Sequence, residues 1–334
     1  MERASPRRFP LAGFVPAGGS FPIEPWLSHR SWGQLAPDGR NAILLPSHYT
    51  GTSDSYDALI GPGRALDPGR HFIVAVDMFG NGRSTSPSHA PTPAARAAWP
   101  LVTIADNIRA QALLAEALGI RGFALVQGWS MGALQAWHWA AMWPDRVKAI
   151  LPVCGAARCW PQNRVFLEGI RAALTMEPGW QGGAYATAPE AGLRAFGRAY
   201  CGWAYSPRFF RDEMWRAAGF DSLEALLLDW ERDHLGWEAA DLIAMLDTWA
   251  SADLGVPAAA WHSALASVRA RAIVMPCDTD RYFTLEENAI EVACVPGAEL
   301  RPILSPFGHS AGAPARWPDP SAQIEAAARE LLGT

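Results

Sequence analysis

The chain has 334 residues, half of them hydrophobic, and a formal charge of −5 at pH 7. That length suits one large domain, or one domain carrying a big insertion, with ample apolar material for a core. The mild acidity and the scattered arginines argue against nucleic acid as a partner. Arg7 and Arg8 are followed by no apolar segment long enough for a signal peptide or a membrane span, so a soluble cytoplasmic protein with no membrane partner is expected.

Short apolar runs alternate with helical segments. Residues 11–33 are read as antiparallel edge strands. Runs at 42–45, 72–76, 123–126, 149–153 and 272–275 are read as strands, and 300–304 as a weaker sixth. Continuous apolar strands fit a mostly parallel sheet covered by helices on both faces. The helices expected around them are 104–117, 131–142, 286–293 and 321–332. The fold class is therefore α/β. Residues 155–267 break the alternation, with helical periodicity at 222–230 and 239–249 and a concentration of Trp, Phe and Tyr. This segment is expected to be a helical cap over the strands' C-terminal ends. Residues 1–154 and 268–334 then form the core. Gly61-Pro62-Gly63 lacks the third glycine of a dinucleotide fingerprint and is read as a turn.

Five cysteines, Cys154, Cys159, Cys201, Cys277 and Cys294, are odd in number and contain no C-x-x-C pair. Zinc ligation and a disulfide framework are not expected. No metal and no cofactor is called for.

The run Gly128-Trp129-Ser130-Met131-Gly132 lies between a predicted strand and a predicted helix. Glycines around a serine at a strand–turn–helix junction mark a nucleophile elbow, which exposes the hydroxyl next to a helix N-terminus. Serine needs a base, and the base needs an orienting carboxylate. In this architecture both follow the serine in the chain. The fifth strand runs into Asp278-Thr279-Asp280, and the sixth into Ser305-Pro306-Phe307-Gly308-His309. His309 is the only histidine after His262, so it is the base; spacing alone leaves Asp278 and Asp280 open. The bland readings are a loop histidine and helix N-caps. The oxyanion donors are expected from the N–H of Met131 and from the loop Ser47-His48-Tyr49-Thr50-Gly51. His48 fits a loop-shaping role better than that of a second catalytic histidine.

These residues resemble the homoserine O-acetyltransferase branch of the α/β-hydrolase superfamily, from Leu45 to His309. The family's G-x-S-M-G is matched at Gly128–Gly132, its P-D-R-V at Pro144–Val147 and its I-G-P-G-[KR]-A-L-D at Ile60–Asp67. Its D-S-D-x-x-F is matched at Asp278–Phe283 and its S-P-Y-G-H at Ser305–His309. The resemblance implies an α/β-hydrolase fold and Asp280 as the triad acid. A further match, F-x-E-x-x-R, covers Phe166–Arg171, and G-G-x-Y covers Gly182–Tyr185. It implies that Arg171 contacts a substrate carboxylate, with Tyr185 nearby; an exposed helix arginine is the plain alternative.

Two departures bear on the acceptor. The family's aspartate after the catalytic histidine, which holds the amino group of homoserine, is Ser310 here. The loop Asp77-Met78-Phe79-Gly80-Asn81-Gly82-Arg83-Ser84 resembles the turn of ordinary α/β-hydrolases. The leading expectation is a serine hydrolase acting on an ester, lactone, thioester or activated amide of a small molecule. Tyr49 and Met131 hold the oxyanion, and Trp129, Tyr185, Arg171 and Ser310 line the substrate site. The alternative is an O-acyltransferase with an acyl-CoA donor and an acceptor other than homoserine. A non-catalytic ligand-binding protein ranks third. Oligomeric state is open, with a homodimer implied by the resemblance to dimeric transferases.

Overall fold

In a computed structural model the described residues are 4–185, 187–255 and 260–334. Eight strands form one sheet: β1 Arg7–Pro10, β2 Trp26–Trp32, β3 Ala42–Pro46, β4 Phe72–Val76, β5 Phe123–Trp129, β6 Ala149–Val153, β7 Arg271–Val274 and β8 Glu299–Leu300. Their order is β1-β2-β4-β3-β5-β6-β7-β8. β1 and β2 form the antiparallel edge, and every pairing from β4 onward is parallel.

Side chains on a strand alternate between faces, and here both faces are dry. Leu44, Val74, Val126 and Ile150 face one core layer, while Ile43, Leu45, Ile73 and Leu125 face the other. The short helix α1 Pro93–Ala97 buries no residue, and the first layer is completed by α2 Ile104–Ala117 and α3 Met131–Met142, which supply Ile104, Ile108, Leu134 and Trp137. Thr103 and Asp106 form a capping box that sets where α2 begins. Burying each such Leu or Ile side chain stabilises the fold by roughly 1.5–3 kcal/mol.

Between β6 and β7 the described residues form α4 Pro161–Thr175, α5 Glu190–Ala204, α6 Pro207–Arg211, α7 Leu223–Leu235, α8 Ala239–Ala250 and α9 Trp261–Ala266. The expected insertion also spans residues 186 and 256–259, which lie outside the described residues. After β7 come α10 Leu285–Ala293, β8 and α11 Pro318–Leu332. α11 buries Ile324, Ala327 and Leu331 in the second core layer.

The sixth strand is shorter than the sequence pattern predicts. β8 pairs only Glu299 and Leu300 with β7. Pro302 has no N–H to donate, and beyond it only a lone bridge between Cys277 and Ile303 continues the ladder. Because β3, β5, β7 and β8 run parallel, the loops that follow them emerge at one sheet edge. Those loops carry His48, Ser130, Asp280 and His309, at the edge where open α/β sheets bind ligands.

Candidate active site

Ser130 follows directly on β5 with φ 58° and ψ −124°. Left-handed backbone is costly for a serine and marks stored strain. The positive φ falls on Ser130 itself, not on either flanking glycine. Gly128 is needed for a different reason: a Cβ there would lie 2.1 Å from the Gly132 carbonyl oxygen. The Ser130 N–H donates to the Val153 carbonyl at 3.0 Å, tying the turn to β6. α3 begins at the next residue, so its positive dipole end faces the elbow.

The two candidate acids separate cleanly. Asp280 Oδ2 accepts from His309 Nδ1 at 2.8 Å. Its Oδ1 accepts the N–H groups of Tyr282 and Phe283, at 3.1 and 3.2 Å. Asp278 instead accepts the Ser305 N–H at 2.9 Å and pins the loop that carries the histidine. Thr279 assists by donating its hydroxyl to Ser305 O at 2.6 Å and accepting from Gly308 N–H at 3.1 Å.

Ser130 and His309 line one cavity of about 400 Å³ together with His48, Tyr49, Trp129 and Ser310. Helices α5 and α7 contribute Tyr200, Ala204, Trp230 and His234 to it, with Asp229 and Asp233 also on α7. The His309 ring is held by Trp129, stacked at 5.0 Å between centroids, and by Tyr282 at 4.2 Å. The Trp129 indole N–H donates to the His309 carbonyl at 3.3 Å. The N–H groups of Tyr49 and Met131 have no hydrogen-bond partner among the described residues. Burial pushes the His48 pKa down to about 4, so that ring is neutral at pH 7.

Two of the residues expected to line the substrate site lie elsewhere. Arg171 is ion-paired with Asp247 and lines a second cavity, of about 520 Å³, between α4, α8 and the 87–101 segment. The Arg171 guanidinium is captured by the partly exposed Asp247 carboxylate on the neighbouring helix α8. The Tyr185 hydroxyl donates to the Leu174 carbonyl at 2.9 Å and its ring packs on Trp180 at 5.0 Å, so it holds the end of α4. Ser310 does line the Ser130 cavity, but its hydroxyl oxygen already accepts the Trp317 indole N–H at 3.0 Å. Aromatic residues of the insertion pack against one another, Tyr205 on Phe209 at 4.0 Å and Phe196 on Tyr200 at 5.9 Å, and onto the segment after β7, Phe166 on Tyr282 at 4.9 Å and Trp249 on Phe283 at 5.3 Å. Tyr282 and Thr279 were not singled out by sequence; the D-T-D-x-Y-F run held the signal.

No group of three His, Cys, Asp or Glu side chains that could hold a metal occurs among the described residues. None of the described helices is long and apolar enough to cross a membrane. A strained serine at a helix N-terminus, a carboxylate-oriented imidazole on the same cavity and two free N–H groups are the parts used in acyl transfer through an acyl-serine.

Residues 41–218 match the alpha/beta hydrolase fold family. The chain belongs to that family. An ethyl acetate hydrolase of Pseudomonas veronii is 34% identical over 90% of this chain and 88% of its own. A homoserine O-acetyltransferase of Symbiobacterium thermophilum is 31% identical over 85% of this chain and 84% of its own. The solved structure of an acetylester hydrolase from Corynebacterium glutamicum superposes with a TM-score of 0.93 at 29% identity, covering 99% of this chain and 96% of that one.

Proposed function

We propose that this protein is a serine hydrolase that cleaves small carboxylic esters, short acyl esters first among them, through an acyl-Ser130 intermediate. Ser130 Oγ attacks the ester carbonyl while His309 Nε2 takes its proton. Asp280 holds the imidazole through Nδ1 and stabilises the imidazolium. The oxyanion accepts the Tyr49 and Met131 N–H groups. His309 returns the proton to the departing alcohol, then activates water, which releases the acid and frees Ser130. The observation that carries this reading is the 2.8 Å bond from His309 Nδ1 to Asp280, on a cavity shared with Ser130. Residues 155–267 serve as the cap that walls this cavity, on a core of 1–154 and 268–334. The five unpaired thiols suit a reducing compartment such as the cytoplasm.

An O-acyltransferase using an acyl-CoA donor, with the homodimer that resemblance implies, is the second reading, favoured by the similarity to homoserine O-acetyltransferases. Against homoserine as acceptor stand Ser310, which carries no charge, and Arg171, already paired with Asp247.

The test is Ser130→Ala, assayed on p-nitrophenyl acetate and with a fluorophosphonate probe. We expect labelling to vanish and kcat to fall by about 10⁶-fold, as when a triad acts as a unit. Retained labelling would exclude Ser130 as the nucleophile. Acetyl transfer to an added alcohol that outpaces hydrolysis would replace the hydrolase reading by the transferase one.

A further inference from the structure

We propose that His48 is a positioning residue for the oxyanion loop, holding the Tyr49 carbonyl through Nδ1–H so that the Tyr49 N–H stays unpaired beside Ser130. The inference rests on the acyl-serine reading above and names a residue that the triad does not include.

The loop's geometry carries it. The His48 carbonyl accepts the Gly51 N–H at 3.0 Å. In a trans peptide the N–H points opposite the C=O, so engaging that carbonyl fixes where the Tyr49 N–H points. The next peptide is held as firmly. The Tyr49 carbonyl accepts from His48 Nδ1 at 2.9 Å and from the Thr50 hydroxyl at 2.8 Å. Thr50 itself has φ +52°. A β-branched residue leaves that region unless its surroundings hold it there. The two side-chain donors on one carbonyl are what hold it.

The tautomer follows from the partner. A carbonyl only accepts, so Nδ1 carries the proton and Nε2 is bare. Nε2 is buried with no hydrogen-bond partner among the described residues. The ring is pressed against Gly51, where a Cβ would come within 2.2 Å of the imidazole. This placement suits a strut, and Nε2 meets none of the hydrogen-bond partners among the described residues that a second base would need. The same imidazole meets the Trp129 indole edge-on at 4.4 Å, and Trp129 stacks on His309 at 5.0 Å. One indole therefore braces the oxyanion loop and the base together. Burial keeps His48 neutral, with a pKa of about 4, so it does not oppose the charge that forms on His309.

The test compares H48A, H48N and H48Q with wild type. Asparagine places an N–H close to where Nδ1 sits, and glutamine places it one bond further out. We expect H48A and H48Q to lower kcat on p-nitrophenyl acetate by about 10²-fold, the loss typical of an oxyanion donor, with KM nearly unchanged. H48N should recover most of that loss. Affinity for a trifluoromethyl ketone, whose adduct carries an oxyanion, should fall in step with kcat/KM. If H48A proves unfolded by circular dichroism, the comparison of H48N with H48Q decides. H48N as slow as H48Q, or H48A at the wild-type rate, would overturn the proposal. Wild-type protein that neither turns over ester nor labels at Ser130 would instead overturn the acyl-serine reading itself.

Discussion

Asp278 and Asp280 stand two residues apart after the same strand and do different work. Asp280 meets an imidazole N–H and two backbone N–H groups, so both of its oxygens are engaged by donors. Asp278 meets only the Ser305 backbone and a cysteine thiol. Asparagine at either site keeps the size and one acceptor oxygen, but only at 280 does it change which histidine tautomer is favoured. We expect D280N to lower kcat by about 10⁴-fold, the cost of presenting the wrong tautomer. D278N should leave kcat near wild type, because its Oδ1 still accepts from Ser305. Initial rates on one ester with both variants decide this, and equal losses would contradict the assignment of Asp280 as the orienting acid.

Among the elements, α10 carries an unusual acid. Glu291 is buried, accepting the Ala157 N–H at 2.8 Å and the Trp160 indole N–H at 2.7 Å. It thereby ties the chain leaving β6 to α10 just before α4 begins. Burial raises its pKa from 4.5 to about 8, with Glu287 adding to the rise and the two donors opposing it. The folded protein therefore binds more protons than the unfolded chain between those two values. Stability from this group is full below the unfolded value and is lost as pH rises toward 8. The slope is on the order of 1 kcal/mol per pH unit. Asp241, raised to about 7 by burial, works in the same direction. Histidines held down by burial, His29 and His48 at about 4, add stability as pH rises through their unfolded value of 6.5, so the decline is expected in melting temperatures from about pH 7 to 8.5. E291Q should flatten that decline without abolishing it, since Asp241 remains; an unchanged slope would show that Glu291 is not the source.

At the scale of the whole molecule, the Ser130 cavity is lined jointly by loops at the sheet edge and by α5 and α7 from between β6 and β7. The seam is polar as well as packed. Asp241 on α8 accepts the N–H of Ser88 at 2.8 Å and its hydroxyl at 2.7 Å. On the same helix the Leu242 carbonyl accepts the Tyr49 hydroxyl at 3.3 Å. D241A leaves both Ser88 donors without their acceptor in a part-buried seam. It should destabilise the protein by about 1–3 kcal/mol, read as a lower urea midpoint. An unchanged midpoint would mean that water replaces the carboxylate freely and that the seam rests on apolar packing.

The sequence by itself determined the sheet, the elbow and the chain order of the candidate nucleophile, acid and base, because these are local signals. Apolar runs such as 72–76 and 149–153 mark strands buried on both faces, and they lie where β4 and β6 are found. The 104–117 and 131–142 periodicities match α2 and α3. A histidine and a carboxylate that follow parallel strands must emerge at one edge. Tertiary structure alone decided the rest. Spacing left Asp278 and Asp280 equivalent and only the family resemblance pointed to Asp280; in the structure the imidazole bond separates them. Arg171 lines a cavity other than that of Ser130 and pairs with Asp247, which is distant in sequence and adjacent in space. The strain of the elbow fell on Ser130 and not on its glycines, since a φ angle is set by what the flanking strand and helix demand together. His48 acquires its role only once the loop closes on itself through Gly51 and Tyr49. Periodicity reports which residues are buried; the partner that a buried polar atom finds depends on the three-dimensional arrangement of every element around it.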